Sequence, residues 1–354
     1  MIGEFKVWNL RNYARARFDF SGRKQLLVGP NGAGKSNLLE AIAFLGLLRS
    51  FRTTRIGEMI RTGEEAFAVG GAWHTGDGFT ENLEARWHRE GRRTLAVNGN
   101  PVASGRDFIQ YFHPVVFAPE DLELITGPPT ARRRFFDMLC SQLDPGYLNV
   151  LHDYAHALKQ RNAALRRGRA DSKVLAAYET LLAFAGADLT ARRSERIAEF
   201  NRELGALSSR EPEGVLALEY RPFCDGSGEE HLAQFERLRE REIERRTSLC
   251  GCHLDDFRMR RGSRWMRGFA SNGQNRLAAL FLKLASAELV ARHCGRQHLV
   301  VLVDDVTGEL DPCRRGLFWE RIQEAEQMFF TVTALPDDLC FRDAARTVLP
   351  LAGD

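Results

Sequence analysis

The segment Gly29-Pro30-Asn31-Gly32-Ala33-Gly34-Lys35-Ser36 has the residue types and order needed to hold a polyphosphate. It fits G-x-x-x-x-G-K-[ST] without a mismatch. Glycines at these positions let the backbone curl so that successive N–H groups point at phosphate oxygens. Lys35 can then reach β- and γ-phosphates, and the Ser36 hydroxyl can ligate Mg²⁺. An apolar run, Leu26-Leu27-Val28, precedes the segment, and a helix-like run from Asn37 to Leu45 follows it. A helix starting here adds potential favourable to negative charge. The alternative, a chance glycine-rich turn, has no need of that strand and helix context. Gly29 through Asn37 are therefore the expected nucleotide-binding residues, with a nucleoside triphosphate and Mg²⁺ as the expected ligands.

A second constellation lies far downstream. Leu299-Val-Val-Leu-Val-Asp304-Asp305 is an apolar run ending in two acids. Asp304 is placed to hold the metal with Ser36, and Asp305 to orient or deprotonate an attacking water. Asp305 and Lys35 are the expected catalytic pair. Acids at the end of such a run also commonly cap helices, so the run gains meaning only beside the phosphate-binding segment. In small GTPases and nucleotide kinases the acid follows the lysine much sooner. Here most of the chain intervenes, as in an ABC-type ATPase head carrying an inserted arm. Ser271-Asn272-Gly273-Gln274 stands just before the helix that leads to the acids. It resembles the ABC signature, in which a helix N-terminus contacts a nucleotide held by a second subunit. Ser271 acting only as an N-cap is the alternative. Gly308-Glu-Leu-Asp311 sits where such heads carry a loop to the opposing subunit, although an Asp before Pro312 also suits a turn.

These residues need elements to hold them. Short strands are expected at 4–8, 16–20, 67–73, 83–87 and 94–97, with Asn98-Gly99 as a hairpin signal. Helical apolar spacing covers 147–165, 174–204 and 274–291, with a mixed-charge helix at 235–246 whose face is expected to be solvated. Strands are expected at 215–220, 298–303 and 329–332. The expected fold is α/β: a P-loop ABC-type head of mixed sheet with an added antiparallel sheet, and an inserted, mainly helical arm. The head is assigned to 1–117 and 248–354 and the arm to 118–247.

Composition narrows the class further. The 354 residues are 44% hydrophobic, and Lys+Arg of 50 against Asp+Glu of 47 leaves a net charge of only +3. Local clusters must therefore decide whether a polyanion binds. Arg49, Arg52 and Arg55 follow the phosphate-binding helix, and Arg132, Arg133, Arg134, Arg161, Arg166, Arg167 and Arg169 crowd the insert. Solvated helix faces would carry the same charges. No signal peptide and no apolar run near the ~18–20 residues of a membrane span stand out, so the chain reads as cytoplasmic. Seven cysteines, an odd number, read as reduced thiols, and Cys250-Gly-Cys252-His253 lacks a complementary pair for zinc.

Together these segments resemble the RecF family of bacterial recombination and repair ATPases. The resemblance runs in order through Asn9-Leu-Arg-Asn-Tyr13, the phosphate-binding segment, Leu48-Arg-Ser-Phe-Arg52, Val116-Phe-Ala-Pro-Glu-Asp121, Arg132-Arg-Arg-Phe-Phe-Asp137, Leu158-Lys-Gln-Arg-Asn162, Ser271-x-Gly-Gln-x-Arg276 and Leu302 to Asp311. It departs at Gly251-Cys-His-Leu-Asp-Asp256, where the family usually has Gly-Pro-His-Arg-Asp-Asp. The resemblance implies a weak, DNA-dependent ATPase of replication, recombinational repair and the SOS response. It also implies a head-to-tail homodimer in which Ser271 to Gln274 and Asp311 act across the interface. The implied partners are double-stranded, gapped or junction DNA and RecR- and RecO-like mediators. An ABC-type subunit of a nuclease complex is the other reading, and a small-molecule P-loop kinase a third. The kinase would have no signature segment and an earlier acid.

Overall fold

The computed structural model describes residues 1–167, 172–212, 214–305, 312–335 and 341–350. The chain divides into two compact units, Met1–Asp121 with Ser286–Asp354, and Leu122–Ala285.

The first unit opens with β1 (Ile2–Leu10), β2 (Tyr13–Asp19), β3 (Lys24–Val28) and α1 (Lys35–Leu47). It continues with β4 (Ala66–His74), β5 (Thr80–His88), β6 (Arg93–Val97), β7 (Asn100–Val102), the short α2 (Gly105–Phe108) and β8 (His113–Phe117). The second unit holds α3 (Glu123–Thr126), α4 (Pro129–Leu143), α5 (Pro145–Arg166), α6 (Ser172–Ser208), β9 (Leu216–Arg221), α7 (Gly228–Arg245), β10 (Asp256–Arg261) and β11 (Arg264–Trp265). α8 (Asn272–Cys294) crosses the division. The first unit then resumes with β12 (Leu299–Asp304), α9 (Pro312–Ile322), β13 (Gln327–Val332) and β14 (Ala345–Val348).

Two sheets make the first unit. The antiparallel one runs β2-β1-β4-β5-β6-β7 and the parallel one β14-β3-β13-β12-β8. Alternation in the antiparallel strands sends Phe5, Val7, Phe67, Val69, Leu83, Ala85, Leu95 and Val97 inward, and leaves the charged side chains of β1, β2 and β5 on the other face. Asn98 and Gly99 both have positive φ, 52° and 77°, as a two-residue hairpin turn between β6 and β7 requires. In the parallel sheet, β12 and β13 are buried almost throughout. Because β3 and β12 both flank β13, the loops after these three strands converge at one edge, where α/β sheets bind ligands. β8 escapes the strand pattern because Pro114 interrupts it. It is an edge strand, the position in a sheet that tolerates proline.

The division of units differs from the expected one. It falls after Asp121 and inside α8 rather than at 118 and 248. The cause is a three-stranded sheet, β11-β10-β9, which ties residues 256–265 to the helical unit. The segment at Val116 to Asp121 belongs to the first unit, with Val116 and Phe117 in β8.

In the second unit, α6 packs against α5 and α7. It contains an 18-residue window of mean hydropathy 1.3, so among the described residues one helix is long and apolar enough to cross a membrane, against the expectation. Its inner face also carries the charged Glu179 and Arg193, both buried and ion-paired. α7 is not a purely solvated helix either. Phe235 and Glu242 are buried, and Glu242 shares Arg161 with Glu179 at 2.6 and 2.8 Å.

Candidate nucleotide site

α1 starts at Lys35 directly after Gly34, whose φ of 95° lies in the left-handed region. A Cβ there would stand 2.5 Å from Asn12 Nδ2 and 2.9 Å from Tyr13 Oη. Tyr13 donates to the Gly34 carbonyl at 3.1 Å, and burial pushes its phenol pKa up, so it remains a donor. Asn37 donates to Asn12 Oδ1 at 2.7 Å. The β1–β2 turn thus braces the loop from behind. Gly34→Ala is expected to weaken nucleotide binding at least about tenfold. The left-handed conformation alone costs an L-residue roughly 1–2 kcal/mol, and the brace must also shift. Titration with a fluorescent ATP analogue checks this, and unchanged affinity would count against the brace.

Lys35 Nζ donates to the loop's own carbonyls, Gly29 O at 2.6 Å and Pro30 O at 2.9 Å. Ser36 Oγ donates to Asp304 Oδ1 at 2.9 Å. The same oxygen accepts from Thr331 Oγ1 at 2.8 Å, and Thr331 Oγ1 in turn accepts from the Asp305 N–H at 3.0 Å. Strand register supplies this contact: Asp304 on β12 lies opposite Thr331 on β13. Asp304 is buried, whereas Asp305 is exposed with φ of 52°. A cavity of about 300 Å³ is lined by Lys35, Ser36, Arg52, Asp304, Asp305 and Thr331, among others. The Ser36 hydroxyl and Asp304 carboxylate form a hard oxygen pair joined by one hydrogen bond, which fits Mg²⁺.

The arginines expected at a DNA surface part company here. Arg52 lines the nucleotide cavity and donates to Asn37 Oδ1 at 2.8 Å. It lies 3.6 Å from Glu40, a fully buried α1 carboxylate that also takes two 2.8 Å bonds from Arg11. Glu40 accepts from the Ser50 hydroxyl as well, and that hydroxyl accepts from the Arg52 N–H at 3.0 Å. Arg52 is exposed beside the nucleotide cavity. Arg132, by contrast, is corrected from a DNA contact to an internal cation. It is buried, pairs with Asp256 at 2.8 Å and donates to Gly127 O at 2.7 Å, so its charge is satisfied inside its unit. Arg133 is half-buried and donates to Asp255 O at 2.6 Å. Arg161 is buried between Glu179 and Glu242. Arg49 is half-buried, and Arg55 is exposed 3.7 Å from Glu58. Arg166 and Arg167 are exposed at the end of α5, and Arg169 lies outside the described residues.

At the signature segment, Ser271 Oγ accepts from Gln274 N at 3.3 Å while Gln274 Oε1 accepts from Ser271 N at 2.7 Å. This reciprocal pair is a capping box. Ser271, Asn272 and Gly273 are exposed at the start of α8. Capping and availability to a second subunit are therefore compatible. Asp311 and its loop lie outside the described residues. Burial pushes the Cys252 thiol up to about 12, so it stays protonated, and no metal-holding cluster of three or more His, Cys, Asp or Glu occurs among the described residues.

Asn12, Tyr13, Glu40 and Thr331 carry no weight in the motif reading. Tyr13 ends a segment noted only for resemblance. Thr331 had one available signal, a hydroxyl inside an otherwise apolar strand.

Comparisons with known proteins show the family and the fold. The family model described as the RecF/RecN/SMC N terminal domain matches residues 1–348. The DNA replication and repair protein RecF of Symbiobacterium thermophilum is 36% identical over 353 residues, covering 95% of this chain and 92% of that protein. Its counterpart from Cyanothece sp. is 36% identical over 342 residues, covering 92% and 89%. Among solved structures, the recombination mediator protein RecF of the RecFOR pathway, solved with ATP, superposes with a TM-score of 0.87 at 28% identity. That match covers 95% of this chain and 93% of the other. The likeness to an Smc head domain from Pyrococcus yayanosii, with TM-score 0.50 and 13% identity, is one of fold alone; it covers 93% of this chain and 92% of that one.

Proposed function

The chain belongs to the RecF family of DNA replication and repair proteins, and from that premise we propose that it is an ATP-gated DNA-binding switch. ATP binding drives head-to-tail dimerisation on DNA, and slow hydrolysis releases it. It acts in replication, recombinational repair and the SOS response, and loads RecR- and RecO-like mediators at single-strand gaps. The observation that carries the reading is the Ser36–Asp304 bond inside the cavity that also holds Lys35 and Asp305.

In this mechanism Lys35 leaves the carbonyls of Gly29 and Pro30 and turns to the terminal phosphates. Arg52 adds a second cation, held in place by Asn37 and Glu40. Ser36 and Asp304 would hold Mg²⁺, which when bound neutralises charge on the phosphate oxygens. Asp305 accepts the proton of the attacking water. Ser271 and Gly273 of a second copy complete the site through the N-terminus of α8, where N–H groups favour an anion. ATP shifts the population to the dimer only by binding it better than the monomer.

The test is sedimentation with and without ATP, joined to DNA binding, for wild type, Lys35→Met and Ser271→Arg. Wild type is expected to double in mass with ATP. Ser271→Arg is expected to keep nucleotide affinity within a few fold and lose the ATP-dependent mass change. A wild type whose mass does not respond to ATP would overturn the switch.

A further inference from the structure

The outer face of the antiparallel sheet carries a feature that the nucleotide site does not use. Strand register places two rows of side chains there. Arg15, Trp8, Ala68, Arg86 and Thr94 lie across one row; Arg17, Lys6, Gly70, Glu84 and Ala96 lie across the next. β4 contributes only Ala68 and Gly70 to these rows. Alanine and glycine are poor strand formers and leave the centre of the face low. Long side chains stand on both sides, and the result is an open trough of about 920 Å³. It lies within the first unit and shares no lining residue with the nucleotide cavity.

The trough is electropositive. Lys6 and Arg17 pair with Glu4, and both remain 63% exposed. Arg15 and Arg86 have no carboxylate partner among the described residues. Arg86 lies over the Trp8 ring at 5.1 Å, a cation–π contact that fixes its guanidinium above the floor without neutralising it. Four cations thus face three carboxylates, Glu4, Asp19 and Glu84; Glu4 is committed to Lys6 and Arg17, and Asp19 lies 3.8 Å from Arg17, so the uncompensated charge is that of Arg15 and Arg86. Arg15 and Arg17 project from the same face of an edge strand, roughly 6.7 Å apart along it, and Arg86 stands three strands away, at roughly 14 Å. Cations on both sides of a low floor suit one continuous polyanionic backbone running between them. Cations spread along an open, shallow trough suit contacts with phosphates, which carry no sequence information.

We propose that this trough seats the phosphodiester backbone of DNA, as a contact surface separate from the arginines that follow α1 and those of the helical unit. The proposal rests on the reading of the chain as a DNA-binding protein, and names where that binding occurs.

Fluorescence anisotropy of a labelled 30-base-pair duplex, read across a salt series, tests it. Arg15→Gln with Arg17→Gln is expected to weaken binding about tenfold or more, and to reduce the slope of log affinity against log salt by roughly 0.9 for each phosphate no longer neutralised. Glu84→Lys is expected to tighten binding severalfold, a gain that misfolding cannot imitate. Nucleotide affinity should not change in either variant. If wild type binds DNA and both variants bind it with unchanged affinity and slope, the trough is not the seat and the DNA-binding reading survives. If wild type binds no DNA, both fall. If an acidic peptide responds to the variants while the duplex does not, the surface serves a protein and the proposal is overturned.

Discussion

Asp305→Asn is expected to lower ATP turnover by about 10²–10⁴-fold, the usual contribution of a positioned general base, while ATP affinity stays within a few fold of wild type. The separation follows from the two acids' different settings. Asp304 is buried, accepts from Ser36 and Thr331, and belongs to the binding apparatus. Asp305 is exposed to the cavity, and its only described hydrogen bond uses its backbone N–H to Thr331. An asparagine preserves that backbone bond and the side-chain volume and removes only the proton acceptor. Binding, and with it the ATP-dependent dimer, should therefore persist and outlast the wild-type dimer on DNA. Wild-type turnover should itself be slow, at or below about 1 s⁻¹, because aspartate holds its oxygen one bond further from the water than the glutamate of many ABC heads. Single-turnover hydrolysis and the lifetime of the DNA-bound dimer read the two effects independently. Wild-type-like turnover in the variant would remove Asp305 from the chemistry; Asp304→Asn, by contrast, should lose metal-dependent ATP affinity as well.

The phosphate-binding loop was legible because its chemistry is local. Gly34 must be glycine for a backbone angle, and Lys35 and Ser36 must follow at once, so a few neighbouring positions state the whole requirement. The acids were legible from a buried strand that ends in charge. What surrounds them was not, because it is assembled by strand order. Thr331 meets Asp304 only because β13 runs beside β12, and Asn12 meets Gly34 only because the β1–β2 turn passes behind the loop. The arginines show the limit most clearly. Arg132, Arg161 and Arg166 look alike in a basic stretch, yet the first two are buried against Asp256, Glu179 and Glu242, and the third is exposed. Their partners lie far away in sequence, so charge clustering alone could not sort solvated cations from internal ones. The same holds for the unit boundary. β10 reads as the start of the returning α/β part until its pairing with β9 is known.

Arg193→Met is expected to destabilise the helical unit by about 3–5 kcal/mol, because it strands buried carboxylates rather than merely deleting a bond. Arg193 is 2% exposed on α6. It donates to Asp255 Oδ2 at 2.7 Å, Asp137 Oδ1 at 2.8 Å, Cys252 O at 2.9 Å and Tyr147 Oη at 3.0 Å. Burial opposes its charge, but Asp137 and the surrounding acceptors more than offset this, and its pKa is raised further. Asp255 is fully buried; desolvation pushes its carboxyl up, with Arg193, Tyr220 and the Phe223 N–H opposing that rise. Without Arg193 that opposition loses its largest member, and Asp255 must take up a proton or open the structure. For a unit of this size, 3–5 kcal/mol corresponds to roughly 6–20 °C in Tm. Adding Asp255→Asn to Arg193→Met should recover part of the loss, since the second change removes the unpaired charge. That recovery separates an electrostatic cause from a packing one: a cavity left by the shorter side chain would not be repaired by an amide at 255. Circular dichroism melts of the two variants decide it, and a shift under about 2 °C for Arg193→Met would mean that water reaches the carboxylates. The network also accounts for the departure at Gly251 to Asp256. The roles observed in that segment, Asp255 to Arg193, Asp256 to Arg132, and His253 to Tyr154 at 2.9 Å, use none of the side chains that differ from the family's usual pattern. Cys252 accepts from Arg193 through its backbone carbonyl and its thiol also meets the Tyr154 hydroxyl, and Leu254 is 43% exposed, so the loop keeps its structural task with neither proline nor arginine in those places.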